Sequence, residues 1–458
     1  MQQKQNCFFR VYKFCTLLLF AVGLCFQLKS QNIDHLYSTY LKQYEALAST
    51  RELGPLEISK NISDFKQINL KSVDDLAGRI KLYYPKQQDL GILLFFYQRD
   101  TLFRLFFEPG ICLEKKAIYL NKGEFKDLTE SFYSSLNIYD KVAGRSPYIR
   151  GSAINLNNNK SALSYKEFID TFTDILLPEC LTDKYKHLIV IPALNIGTFP
   201  FHLLKPYNDE LELIDNCSFS IAPTLLDFVF ANEIKRRTSE NLNLSNTSRW
   251  QTQQALFICN PDYPKTGSYV FPDLPGAEKE VNAAIPFTGK STRLLKGKNA
   301  QKDSFFRYLN GSDLLYVATH GMSDSANPLQ NNFLVLSGED PFLTSLEIMN
   351  LRLLDSFTAP ELVILSACQT GLGKSMEAGT AASMARAFII SGTKYVVQSL
   401  WSVDDEATAH LMNRFMFWIH EGTPFFPAEA LRLAVLDTRK VFPNPIYWAS
   451  FSLIGTLN

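Results

Sequence analysis

Neither charge sign is in surplus along this chain of 458 residues: 46 Lys plus Arg face 46 Asp plus Glu, and no basic block stands out. Phosphate backbones are held by clustered positive charge, so nucleic acid is not an expected partner. Long hydrophobic runs are missing too, since none reaches the roughly 20 residues that a spanning helix needs. There is no Cys-x-x-Cys pair, which argues against a zinc ribbon or a thioredoxin-type redox site, and neither a metal nor a cofactor is expected. A Gly-x-Ser-x-Gly elbow is absent, which disfavours a serine hydrolase. No internal repeat of the paired-helix type is found, and the leader before the first strands is too short for a stable array of three.

What is present is an ordinary globular composition, 46% hydrophobic and 20% charged, which excludes a largely disordered chain. The length exceeds one core of roughly 100–200 residues, so two packed units are expected. Residues 1–30 are set apart as a targeting segment. Lys4, Arg10 and Lys13 make a basic head, and Cys15 to Phe26 (CTLLLFAVGLCF) is an apolar run of twelve. That fits a secretory signal, with Gln31 as the mature N-terminus, or an uncleaved signal anchor. Val22-Gly23-Leu24 is a poor lipidation context for Cys25. The expected location is outside the cytoplasm: periplasmic, on the outer surface, secreted or anchored in the inner membrane. Beyond the segment remain Cys112, Cys180, Cys217, Cys259 and Cys368, an odd number, so at least one thiol stays unpaired even in an oxidising compartment.

Residues 31–80 read as a helical leader, 81–238 as a first unit, 239–254 as a Ser/Asn/Thr/Gln-rich linker and 255–458 as a second unit. Leu90 to Tyr97 and Leu102 to Phe107 predict an aromatic hairpin, Tyr165 to Leu177 a helix, and His187 to Pro192 a strand buried on both faces. After the linker, strands are expected at 255–259, 312–319, 361–367 and 394–399, with helices beginning at Ala277 and Asp405 and spanning Thr380–Ser391. Gly392 supplies a helix stop, and Asp404 or Ser402 a cap. One helical turn is expected at 346–349. Strand–helix alternation of this kind implies an α/β fold with a mostly parallel sheet, whose sites form at the carboxyl ends of strands.

Two of those strands run into reactive side chains, one into His320-Gly321 and the other into Ala367-Cys368-Gln369-Thr370-Gly371. His320 precedes Cys368 by 48 residues, close to the spacing of about 50 between the caspase histidine and cysteine. A thiol needs a base beside it to become a thiolate, and His320 is the candidate base and acid for Cys368. The backbone N–H groups of Gly321 and Cys368 are the candidate oxyanion donors, glycine allowing close approach to a carbonyl. Taken singly, each residue reads as core. Taken together, with glycine-bearing turns after both, they read as a catalytic pair.

Gly373-Lys374-Ser375 has the ending of a phosphate-binding loop, but Cys368 stands where its first glycine belongs. Asp404-Asp405-Glu406 reads first as helix capping, with Asp404 or Asp405 as the sharper candidate for a pocket that binds a basic side chain, walled by Trp401. His410 and His420 read as structural or exposed, and for His187 and His202 the sequence suggests no partner.

The run LSACQTGLG from Leu365 to Gly373, Ala385-Arg386-Ala387-Phe388 and SLWSVDDEAT from Ser399 to Thr408 resemble the CHAT family of caspase-like proteins. So do Ala318-Thr319-His320-Gly321, LPGAEKE at Leu274–Glu280, Tyr447 to Phe451, and LNIGTFPFHLL from Leu194 to Leu204. The resemblance covers roughly residues 80–458 and implies kinship with caspases, separases and gingipains. It implies two caspase-like subunits, the first without the dyad and the second with it. It carries over His320 and Cys368 as catalytic, and by similarity to separases Asp404 or Asp405 as readers of a basic residue before the scissile bond. The expected activity is that of a cysteine endopeptidase acting on protein or peptide substrates. The alternatives are a catalytically silent interaction module and, more remotely, a nucleotide-binding protein. Many members carry helical repeats and are cytoplasmic, and Glu377-Ala378-Gly379 stands where the family has Gly-Glu-Gly.

Overall fold

The structure is a computed structural model that describes residues 35, 37–42, 70–136, 163–208, 210–241, 254–264, 271–289, 291–322, 328–366, 374–376, 379–401, 403–421 and 427–456. The targeting segment 1–30 and most of the linker 239–254 lie outside them. Among the described residues no helix is long and apolar enough to cross a membrane.

Residues 37–42 are helical, and α1 (Val73–Tyr83) is followed by the expected hairpin of β1 (Leu90–Gln98) and β2 (Thr101–Glu108). A third strand, β3 (Ile111–Tyr119), extends it, followed by α2 (Lys122–Ser135) and α3 (Tyr165–Leu176). Capping boxes start α1, α2 and α3: Ser72 with Asp75, Asn121 with Glu124, and Ser164 with Glu167. Each box satisfies two backbone N–H groups that a helix start leaves without partners. Next come β4 (His187–Ile191), β5 (Ser218–Ile221) and α4 (Leu225–Asn241).

The second part runs β6 (Gln254–Pro261), α5 (Pro275–Ala284), β7 (Ser291–Gly297), α6 (Lys302–Leu309) and β8 (Leu314–Ala318). The short strands β9 (Gly321–Met322), β10 (Phe333–Val335) and β11 (Phe342–Thr344) follow, then a short helix at Ser345–Asn350. The chain continues through β12 (Leu362–Leu365), β13 (Lys374–Met376), β14 (Gly379–Ala382) and α7 (Met384–Ser391). It closes with β15 (Tyr395–Ser399), α8 (Asp405–Glu421), α9 (Pro427–Val441) and β16 (Phe451–Gly455).

Eleven strands form one sheet in the order β3-β2-β1-β4-β5-β16-β15-β12-β8-β6-β7. Pairing is parallel except within β3-β2-β1 and between β16 and β15. The expected mostly parallel α/β sheet is what the chain forms. Strands on either side of the linker belong to this one sheet, joined where β16 pairs with both β15 and β5. Side chains on a strand alternate between faces. On β1 and β4, Leu93, Phe95, Leu188 and Val190 feed one core layer, while Ile92, Leu94, Ile189 and Ile191 feed the other. Burial on both faces is why these strands read as unbroken apolar runs.

The helix expected over Thr380–Ser391 starts late. Gly379–Ala382 is strand β14, paired with β13, and the Ser383 hydroxyl accepts from the Arg386 N–H to cap α7 at Met384. The helix ends at Gly392, whose φ of 112° is the left-handed conformation a stop requires. Within the segment 31–80 read as a leader, residues 37–42 and Val73 onward are helical, and most of 31–69 lies outside the described residues.

Two histidines are locked in the core. His187 lies between the Ser218 hydroxyl at 2.8 Å from Nδ1 and the Ser220 hydroxyl at 3.1 Å from Nε2. The His202 ring meets Phe219 edge-on at 4.7 Å. Burial pushes both down to about 3. An unfolded histidine takes its proton near pH 6.5, so acid favours the unfolded chain. The stability intact above about pH 6.5 should fall as pH drops towards about 3. Urea unfolding at a series of pH values should show this limb, and His187→Gln should flatten it.

Candidate active site

The site is built by strand pairing. β8 and β12 are parallel neighbours, with Val317 opposite Leu365, and the Ser366 N–H donates to the Val317 carbonyl at 2.9 Å. Both chains therefore leave the sheet at one edge. One continues into Thr319-His320-Gly321 and the other into the loop that holds Cys368. Residues 367–373, Cys368 among them, lie outside the described residues.

His320 is 2% exposed, packed edge-on to Tyr263 at 4.7 Å and against Phe271 at 5.4 Å. Its Nε2 is 2.8 Å from the Pro272 carbonyl. A carbonyl only accepts, so Nε2 carries the proton and a neutral ring has Nδ1 as its basic nitrogen. Sequence reasoning missed Pro272, because a backbone acceptor leaves no residue signature.

The Pro272 carbonyl is held through its neighbours. Asn260, at φ 41° at the end of β6, accepts the Leu274 N–H at 2.8 Å and donates to Glu278 at 3.1 Å. Lys296 on β7 donates to the other Glu278 oxygen at 2.5 Å. Inside the core the Tyr316 hydroxyl of β8 donates to Glu280 of α5 at 2.5 Å. The loop that orients the imidazole is thus tied to both the edge strand β7 and the strand that carries His320.

A second, three-stranded sheet of β9, β10 and β11 holds the backbone beyond His320. The Val335 N–H donates to the His320 carbonyl at 2.9 Å, which makes those two residues a bonded pair. In an antiparallel ladder bonded and non-bonded pairs alternate. Gly321, opposite Leu334, is therefore in a non-bonded pair, and its N–H turns away from β10.

β15 flanks β12 on the other side in parallel, so its outgoing loop reaches the same edge. Trp401 there is 4% exposed, and its indole N–H donates to the Ile446 carbonyl at 2.9 Å. Asp404 caps α8, with Oδ1 accepting the Glu406 N–H at 2.9 Å and the Ala407 N–H at 3.2 Å. Asp405 lies against the start of α5, where a Cβ on Gly276 would fall 2.1 Å from its Oδ2 and 2.8 Å from its Cβ.

Four free thiols are described: Cys112, Cys180, Cys217 and Cys259. Burial pushes Cys112 up to about 12 and raises Cys180 and Cys217, so these three are protonated near neutrality. Lys374-Ser375 lies on β13 and does not open a helix, so the anion-binding helix N-terminus that a phosphate loop requires is not formed by these residues.

A family model for the CHAT domain matches residues 166–456. The chain belongs to the CHAT family. The CHAT chain is also similar to tetratricopeptide repeat protein 28 of Homo sapiens, 23% identical over 305 residues, which is 60% of this chain and 12% of that protein. It thus spans only a small part of that relative. Among solved structures it is similar to separase in the Saccharomyces cerevisiae separase–securin complex, with a TM-score of 0.50 and 14% identity over 84% of this chain and 31% of that one. It also matches the Arg specific cysteine proteinase gingipain R, with a TM-score of 0.42 and 11% identity over 65% of this chain and 68% of that one. The CHAT domain accordingly has a caspase-like fold.

Two family motifs gain a physical role. Arg386 of the Ala-Arg-Ala-Phe run pairs with Asp227 of α4, with Nε to Oδ2 at 3.0 Å, in a largely buried pair. It ties the helix after the cysteine loop to the first part of the CHAT domain. Gly276 of LPGAEKE lets α5 approach α8. Gly276→Ala should destabilise the fold by about 1–3 kcal/mol, because Asp405 Cβ as well as its carboxylate must move. Denaturant unfolding would check this, and a change near zero would show that α8 yields freely.

Proposed function

We propose that the chain is an exported cysteine endopeptidase with Cys368 as nucleophile and His320 as its base. In this reading the Cys368 thiol gives its proton to His320 Nδ1, and the sulfur attacks the peptide carbonyl. The N–H groups of Gly321 and Cys368 hold the oxyanion. His320 returns the proton to the leaving amine as the C–N bond breaks. Water, losing a proton to His320, then attacks the thioester and releases the acid and the free thiol. The observation that carries this reading is the parallel pairing of β8 with β12, which brings the His320 turn and the cysteine loop out side by side. The Pro272 carbonyl supports it by fixing the ring tautomer. Residues 81–238 serve as the part without a dyad and 255–458 as the catalytic part. Asp404 or Asp405, at the start of the helix that follows the next strand, reads a basic side chain before the scissile bond.

A second reading, a caspase-like module that binds partners without catalysis, is favoured by the near-complete burial of His320. Labelling with peptidyl thiol-reactive probes separates the two. The catalytic reading expects a probe bearing a basic residue to label the wild-type protein and not Cys368→Ala, with His320→Ala slowed by at least about 100-fold. A probe bearing Asp should react more slowly. Folded wild-type protein that neither probe labels would favour the silent module.

Export rests on the basic head and apolar run of residues 1–30. Mass spectrometry of the protein from its native host should find an N-terminus near Gln31, whereas an intact Met1 would point to a signal anchor.

A further inference from the structure

The small sheet beside His320 has an apolar outward face. Directly opposed residues of an antiparallel pair share a face. The register sets Met322 opposite Phe333 and Val335 opposite Phe342, and the Val335 hydrogen bond sets His320 opposite Val335. His320, Met322, Phe333, Val335, Phe342 and Thr344 therefore stand on one face, with Leu334 and Leu343 on the other. Those two leucines are wholly buried, whereas Met322 and Phe342 keep part of their surface in solvent. An antiparallel sheet with one wet face ordinarily carries polar residues there. Here His320, Phe333 and Val335 are buried, and what remains partly in solvent is Met322 and Phe342, with Thr344 at the far end. Phe271, also partly exposed, joins them, its ring 5.4 Å from His320 and 6.3 Å from Phe342, and the Phe342 ring lies tilted against Phe333 at 4.5 Å.

The place of this surface along the sheet edge gives it a role. The strand order runs β15, β12, β8, β6. The Cys368 loop follows β12, on one side of His320, and Phe271 comes from the connection after β6, on the other. An imidazole that protonates the leaving amine sits between the acyl part of a substrate and its leaving part. Resting on the peptidase reading above, we propose that Phe271, Met322 and Phe342 form the subsite for the first residue after the scissile bond, and that this subsite takes a large apolar side chain. A partly open apolar surface with few polar groups is the ordinary form of a ligand subsite.

Binding tests this apart from catalysis. Fluorescein-labelled decapeptides carrying Arg followed by Phe, Leu, Asp or Gly would be titrated against Cys368→Ala and followed by anisotropy. The Phe and Leu peptides should bind at least about tenfold more tightly than the Asp and Gly peptides. Adding Phe342→Ser should erase the difference. Adding Met322→Lys should shift preference towards the Asp peptide, a gain that misfolding cannot produce. Equal affinity for all four peptides, or no measurable binding of any, would overturn the inference. Cleavage of the same peptides by the wild-type protein reports on the dyad separately: selective binding without cleavage would keep the subsite and sink the peptidase.

Discussion

The ladder of backbone hydrogen bonds between β8 and β12 couples the core of this protein to the sheet edge beside His320. Leu362 to Leu365 lie beside Leu314 to Val317 in strict parallel register. Their side chains are wholly buried, so a slip by one residue would turn each of them to the opposite layer. The register is therefore fixed by hydrophobic burial, and the polar residues that follow each strand inherit their positions from it. β15 and β6 flank this pair in the same direction. Four successive loops thus share one edge, carrying in order an acidic turn, the cysteine loop, His320 and an aromatic turn.

Rigidity away from that edge comes from polar ties across the elements. Glu278 joins Asn260 to Lys296, Glu280 takes the Tyr316 hydroxyl, and Arg386 pairs with Asp227. The Glu280–Tyr316 and Arg386–Asp227 contacts lie in the interior, where a pair is costly to leave half made, which confines their elements to the placement that completes them. β16 adds a topological tie. The last strand of the chain lies between β5 and β15, so the two parts expected from length share one sheet. Covering of His320 by Tyr263 and Phe271 follows from the same loop that supplies the Pro272 carbonyl, so orientation and access of the imidazole are governed together.

Much of this was legible in the residues. The buried strands announced themselves as short apolar runs, and His320 and Cys368 stood out because each follows such a run and is trailed by glycine. The helix at Asp405 and its cap at Asp404 were readable from side-chain chemistry. β3 was not, because an edge strand with half of its residues in water (ICLEKKAIY) mixes charge with apolar residues and shows no clean period. The small strands β9, β10 and β11 are two or three residues long, below the length at which alternation is a signal. β14 was absorbed into the helix after it, since Thr-Ala-Ala suits either state and only pairing with β13 decides.

The sequence by itself determined the fold class and the family and nominated His320 and Cys368, because burial period and residue chemistry are local properties that survive in one dimension. The tertiary structure alone decided that the strands before His320 and Cys368 are adjacent and parallel, that Pro272 sets the histidine tautomer, and that Phe271 and Phe342 meet beside the ring. Those are relations between backbone groups and side chains that are far apart along the chain, and only packing of the whole sheet brings them together.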